Sequence, residues 1–158
     1  MQIDVDQIIE FLGLIPHPEG GYYQETFRDL PNSSDEPGAF DERALSTAIY
    51  FLLTEGQKSH WHRIDCSEVW HWYAGSPLAL SISSAQDQLA TTKILGNNLV
   101  EGQRPQIVIP ANHWQSAQSL GPWSLVGCTV APGFEFDSFE LSDPEFEPGG
   151  DSSAHKTL

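Results

Sequence analysis

Basic side chains are what this 158-residue chain has least of: seven lysines and arginines stand against 22 aspartates and glutamates, a formal charge of −15 with a pI near 4.4. Such a surface repels phosphate backbones and anionic lipid, which argues against nucleic acid and membrane as partners and leaves solubility as the plain meaning of the charge. Cysteine is nearly as scarce. Cys66 and Cys128 form no Cys-x-x-Cys pair and no basic-then-apolar leader opens the sequence, so a reducing cytoplasm is the expected compartment. Cys66 has no flanking base to activate it and is read as a packing residue. Long apolar runs are missing as well, none approaching the roughly 18 residues that a spanning helix needs. The length suits one domain, expected over residues 1–148, with a frayed tail at 149–158.

Helical periodicity is confined to one place. In Asp4–Leu14 the apolar side chains Val5, Ile8, Ile9 and Leu12 recur at i, i+3, i+4 and i+7, with Asp4 or Asp6 as N-cap, Gly13 as terminator and Pro16 barring continuation. A turn, His17-Pro-Glu-Gly-Gly, then feeds a strand in which Tyr23, Glu25 and Phe27 are expected on one face. Residues 30–41, rich in Pro, Ser, Asp and Gly, read as a surface loop. Thereafter the chain is a series of short β-like runs: Leu45–Leu53, His60–Arg63, Glu68–Ala74, Leu78–Ser83, Leu89–Leu95, Pro105–Ile109, His113–Ala117 and Trp123–Val130. Many short strands and a single helix predict an all-β sandwich or barrel.

The densest chemistry lies in His60-Trp-His62-Arg-Ile-Asp-Cys-Ser-Glu68-Val-Trp-His71-Trp-Tyr-Ala-Gly75. If residues 60–63 form one strand and 68–74 the next, alternation puts His60 and His62 on one face and Glu68, Trp70 and Trp72 on one face of its neighbour. His71 then falls on the opposite side. The spacing resembles the first motif of the cupin superfamily, whose small barrels hold a metal or an organic ligand inside. A second motif follows at Val108-Ile-Pro110-Ala-Asn112-His113-Trp-Gln115, with Asn112 in the place of a turn glycine and Gln115 where the family usually has its last histidine ligand. An amide oxygen is a weak ligand beside imidazole, so this departure lowers the expected metal affinity.

Together with His17-Pro-Glu-Gly-Gly-Tyr22-Tyr23-Gln-Glu25-Thr-Phe-Arg28 and Val130-Ala-Pro-Gly-Phe134, these segments resemble the cupin subfamily called DUF985 or Cupin-5. The resemblance implies a double-stranded β-helix, or jelly-roll, cupin barrel behind the short N-terminal helix, and a homodimer. It implies a small-molecule ligand in the barrel and leaves the reaction open. On the residues, the first expectation is an isomerase- or epimerase-like enzyme for a carbohydrate-like or keto acid metabolite. His62 would be the base, Tyr23 or Glu68 the partner acid, and Glu25, Tyr50, Trp70, Trp72 and Gln115 would bind ligand. A metal-dependent variant would hold Fe, Mn, Ni or Zn on His60, His62 and Glu68, with Gln115 or water completing the shell. A third reading is a metabolite-binding module without turnover.

Overall fold

The structure, a computed structural model, describes residues 3–31 and 43–150; most of the expected 30–41 loop and the end of the expected tail lie outside them. The chain runs α1 (Val5–Leu12), β1 (Ile15–Pro16), β2 (Tyr22–Asp29), β3 (Ser46–Thr54), β4 (Lys58–Arg63), β5 (Glu68–Gly75), β6 (Leu78–Ser83), β7 (Thr91–Leu95), β8 (Gln106–Ile109), β9 (Trp114–Ser119), β10 (Trp123–Val130) and β11 (Glu140–Leu141), with short 3-10 turns at Leu99–Glu101 and Phe136–Ser138. Two antiparallel sheets result, ordered β1-β2-β3-β10-β5-β8 and β11-β4-β9-β6-β7. They face each other as the two walls of a jelly roll.

Helix α1 starts at Asp4, whose carboxylate accepts from the Gln7 N–H at 2.9 Å while the Gln7 amide oxygen accepts from the Asp4 N–H at 3.1 Å. Gly13 ends it at φ 62°. Its buried Ile8 packs with Leu14 and Leu52 on the outside of the six-stranded sheet, against Tyr50 and Trp123. Between the sheets, one end is filled by Phe51, Leu53, Trp70, Leu78, Leu80 and their neighbours. At the other end the walls stay apart. Ile64, Cys66 and Val130 form a thinner cluster there, closed from outside by Phe134 and Phe139.

Two irregularities decide which side chains reach that open end. In β2, Glu25 pairs with Ile49 but Phe27 with Ala48, so Thr26 is an extra residue and the alternation inverts after it. Phe27, expected on the face of Tyr23 and Glu25, is therefore 51% exposed, and Arg28 turns inward in its place. In β4, Ser59 opposes Ala117 and His62 opposes Gln115, three steps against two. His60 and His62 consequently do not share a face. His62 is 3% exposed and points between the sheets with Ser59, whereas His60 lies on the surface.

Candidate functional site

The open end of the barrel is a cavity of about 740 Å³, within the range of small-molecule sites. His62 enters from β4, Glu68 and Trp70 from β5, Tyr23 and Glu25 from β2, and His17 and Glu19 from the turn before it. Residues 134–139 pass across the mouth and contribute Phe134, Phe136 and Phe139.

His17 and Glu19, which the sequence presents only as part of a turn, both line the cavity. Gly20 and Gly21 adopt φ 104° and 76°, and a Cβ at Gly20 would collide with the Lys58 carbonyl oxygen. Gly20 thus lets the turn press on β4, and Gly21, where a Cβ would meet the Leu52 carbonyl oxygen, lets it press on β3. The Glu19 carbonyl accepts from the His60 N–H at 2.8 Å, and its carboxyl is carried into the barrel, where Oε1 accepts from Ser59 Oγ at 2.8 Å and Oε2 lies 3.2 Å from His62 Nε2. The signal available in sequence was the Gly-Gly pair directly after a His-x-Glu.

The proton positions follow from the contacts. His62 Nδ1 donates to the His60 carbonyl at 2.7 Å, which leaves Nε2 as the atom facing Glu19. Burial pushes the Glu19 carboxyl up to about 8, only partly opposed by Ser59, and burial pushes His62 down against the opposing pull of Glu68. Burial pushes both groups toward their neutral forms, which favours a carboxyl O–H donating to the imidazole over an ion pair. His17 Nδ1 accepts from the Glu19 N–H at 3.2 Å, and burial, with His62 nearby, lowers its pKa to about 4. Its separation of 3.6 Å from Glu19 Oε2 is too long for a further hydrogen bond.

Glu68 is held from behind. The Gln115 amide nitrogen donates to Glu68 Oε2 at 2.5 Å, and the Gln115 oxygen accepts from Trp70 Nε1 at 2.9 Å. Indole can only donate and a carboxylate prefers to accept, so both partners fix the same amide orientation. Burial raises the Glu68 pKa, with His62 and Gln115 opposing.

Of the expected ligand-binding residues, Glu25 lines the cavity but is bound by Arg28 through two contacts, at 2.9 and 2.8 Å. Tyr23 lines it with its ring edge against His17, centroids 4.5 Å apart. Trp70 is both wall and donor. Trp72 packs on the filled end of the core and donates to the Ser76 carbonyl at 3.1 Å, away from the cavity lining. Tyr50 belongs to the outer face beneath α1, because Thr47, Ile49 and Phe51 take the inward positions of β3. Its expected place in the pocket is corrected by that parity. His71 falls outside, as alternation requires, bonded to Thr129 Oγ1 at 3.0 Å.

The expected metal set does not assemble. His60 is turned out by the β4 irregularity, and the Gln115 oxygen, its only ligating atom, is engaged by Trp70. Among the described residues no group of three or more His, Cys, Asp or Glu side chains converges as a metal site. What the cavity holds is a set of proton donors and acceptors: Glu19, His62, Glu68 and Tyr23.

Comparison with known proteins places this geometry. No curated protein matches the chain. Among solved structures, a protein from Shewanella oneidensis is 37% identical with a TM-score of 0.78, covering 90% of this chain and 86% of its own. A hypothetical protein from Leishmania major is 31% identical at TM-score 0.77, covering 89% and 88%. Oxalate decarboxylase from Bacillus subtilis, 12% identical at TM-score 0.56, covers 80% of this chain with 29% of its own and shares the fold. The family model described as Cupin superfamily (DUF985) matches residues 6–142, from the helix through β11, and the chain belongs to that family.

Proposed function

We propose that this cupin is a proton-transfer enzyme of the isomerase or epimerase kind, acting beside a carbonyl of a carbohydrate-like or keto acid metabolite. The observation that carries the reading is the Glu19–His62 pair, a carboxyl and an imidazole nitrogen 3.2 Å apart in the wall of a cavity, each pushed by burial toward its neutral form. Moving a proton between adjacent atoms of one substrate needs an acid and a base in their opposite protonation states, side by side and out of water. Here the substrate oxygen draws the Glu19 O–H away from His62, and the freed Nε2 takes the proton from carbon as the carboxyl gives its own to oxygen. Glu68, tied to Gln115, favours the imidazolium that forms transiently, and the Tyr23 phenol is a second donor within the same lining. The buried free thiols Cys66 and Cys128 support placing the protein in a reducing cytoplasm.

The test is solvent exchange. Small sugars and 2-keto acids incubated with the protein in D2O are followed by proton NMR for loss of the C–H signal next to the carbonyl. His62→Ala should abolish exchange, and Glu19→Gln should slow it by about 10²-fold or more, with ligand affinity retained in both. A ligand that binds the wild type and never exchanges would make the cavity that of a sensor, and the reaction reading would be abandoned.

A further inference from the structure

We infer, building on the site as read above, that the cavity takes an uncharged polyhydroxylated molecule with one apolar face and discriminates against phosphorylated and carboxylated metabolites. Recognising an anion requires a cation or a cluster of N–H groups free to meet it. Two basic side chains line the cavity, Arg28 and Arg43, and each is already engaged. Arg43 donates through Nη1 and Nη2 to Asp65 at 2.7 and 2.8 Å and through Nε to the Gly133 carbonyl at 2.7 Å. Arg28 donates through Nε and Nη2 to Glu25, and Nη2 also reaches the Phe134 carbonyl at 3.1 Å. Among the described residues no lysine contributes to the lining.

These engagements are structural as well as electrostatic. Gly133 and Phe134 begin the segment whose phenyl rings wall the mouth, and that segment is further tied by Gly133 N–H to the Ala44 carbonyl at 2.7 Å and Phe134 N–H to Thr47 Oγ1 at 2.9 Å. Drawing either guanidinium onto a phosphate would strip a tether from the wall that must cover the ligand. The balance of charge runs the same way. Even leaving out the buried Glu19 and Glu68, the carboxylates Glu25, Glu135 and Asp137 outnumber the two arginines, on a chain of net charge −15. An anion approaching this mouth meets like charge.

What remains suits a neutral ring. Phe134, Phe136, Phe139 and Tyr23 offer aromatic surface for a C–H face, and Glu19, His62 and Glu68 offer hydrogen-bond donors and acceptors for hydroxyls on the other. A cationic amine would be tolerated by the rim but would find, deep in the site, carboxyls that burial pushes toward their neutral form.

The experiment is saturation-transfer NMR and calorimetry on the full chain at low salt with matched probes: glucose, fructose and galactose, each with its phosphate monoester, plus pyruvate and glucosamine. At least one free sugar is expected to bind, with its phosphate ester weaker by about tenfold or more, the scale of a like-charge juxtaposition. The double variant Glu135→Gln, Asp137→Asn should narrow that gap by strengthening the ester alone. The inference is overturned if an ester or pyruvate binds as tightly as the free sugars, if only glucosamine binds, or if no free sugar binds. Deuterium exchange separates the two readings. A bound sugar that does not exchange sinks the proton-transfer function and leaves the ligand class standing, while exchange on pyruvate or an ester does the reverse.

Discussion

Gln115 shows what one residue can do in a buried polar chain. Fully buried, it satisfies Trp70 Nε1 with its oxygen and Glu68 with its nitrogen. Gln115→Leu would leave both without a partner, a cost of about 1–3 kcal/mol for each orphaned group, so thermal unfolding should move down by several degrees; an unchanged midpoint would mean that these bonds contribute nothing. Glu19 makes the complementary prediction about pH. Its carboxyl is raised from 4.5 to about 8 by burial, so between those values the folded state holds a proton that the unfolded state has released. Its contribution to stability is thus complete below pH 4.5 and is lost as pH climbs to 8. Glu19→Gln cannot ionise, so the wild type should lose stability relative to that variant on going from pH 5 to pH 8.5, and parallel melting curves would refute the assignment. Both residues bear on what the sequence revealed. His62, Glu68, Trp70, Tyr23 and Glu25 were legible because strand alternation points them inward. Glu19 and His17 were not, because they sit in a turn, where no period applies and the contact with β4 is set by tertiary structure.

Strands and turns act here mainly by aiming side chains. β6 and β10 begin and end where the alternation of residue types places them, and Asn112 takes the positive φ, 62°, that its position in the second motif requires. The irregularities in β2 and β4 were invisible in sequence because a bulge is a property of two paired strands and only one is visible at a time. Their effect is large: one brings Arg28 to the cavity in place of Phe27, the other removes His60 from it. The turn at residues 17–21 is the element that most directly governs activity in this reading. Gly20 at φ 104° abuts the Lys58 carbonyl, and the same approach sets Glu19 beside Ser59 and His62. Gly20→Ala adds a methyl both to a left-handed backbone and to a closed contact, so the turn should lift from β4. Expected outcomes are a loss of about 2 kcal/mol in denaturant unfolding and a fall in exchange activity comparable to that of Glu19→Gln. Full activity in a destabilised protein would show that Glu19 does not need this turn.

At the scale of the whole molecule, closing the barrel leaves sheet edges to be managed. β1 covers β2 only at Tyr22 and Tyr23, so among the described residues the remainder of β2, Gln24–Asp29, has a neighbour on one side alone. That edge carries Phe27, 51% exposed, and runs on to Leu30, 63% exposed. A strand edge with unpaired backbone groups and an exposed phenyl ring invites pairing with another chain, and the bulge at Thr26 limits how far an arbitrary strand can follow it. A second copy of the same chain, able to match the irregular strand with its own, is the partner we expect in a homodimer. The surface charge opposes this association, since each protomer carries −15. The dimer should therefore tighten as salt screens that repulsion, the opposite of an assembly held by ion pairs. Analytical ultracentrifugation at micromolar concentration should give twice the 17.5 kDa chain mass, with the dissociation constant falling between low and physiological ionic strength. Phe27→Lys places a further charge on the edge and should shift the species to monomer without altering the melting of the β-sheet core. A wild type that sediments as a monomer at both salts would exclude the dimer, and a dimer indifferent to Phe27→Lys would move the interface away from β2.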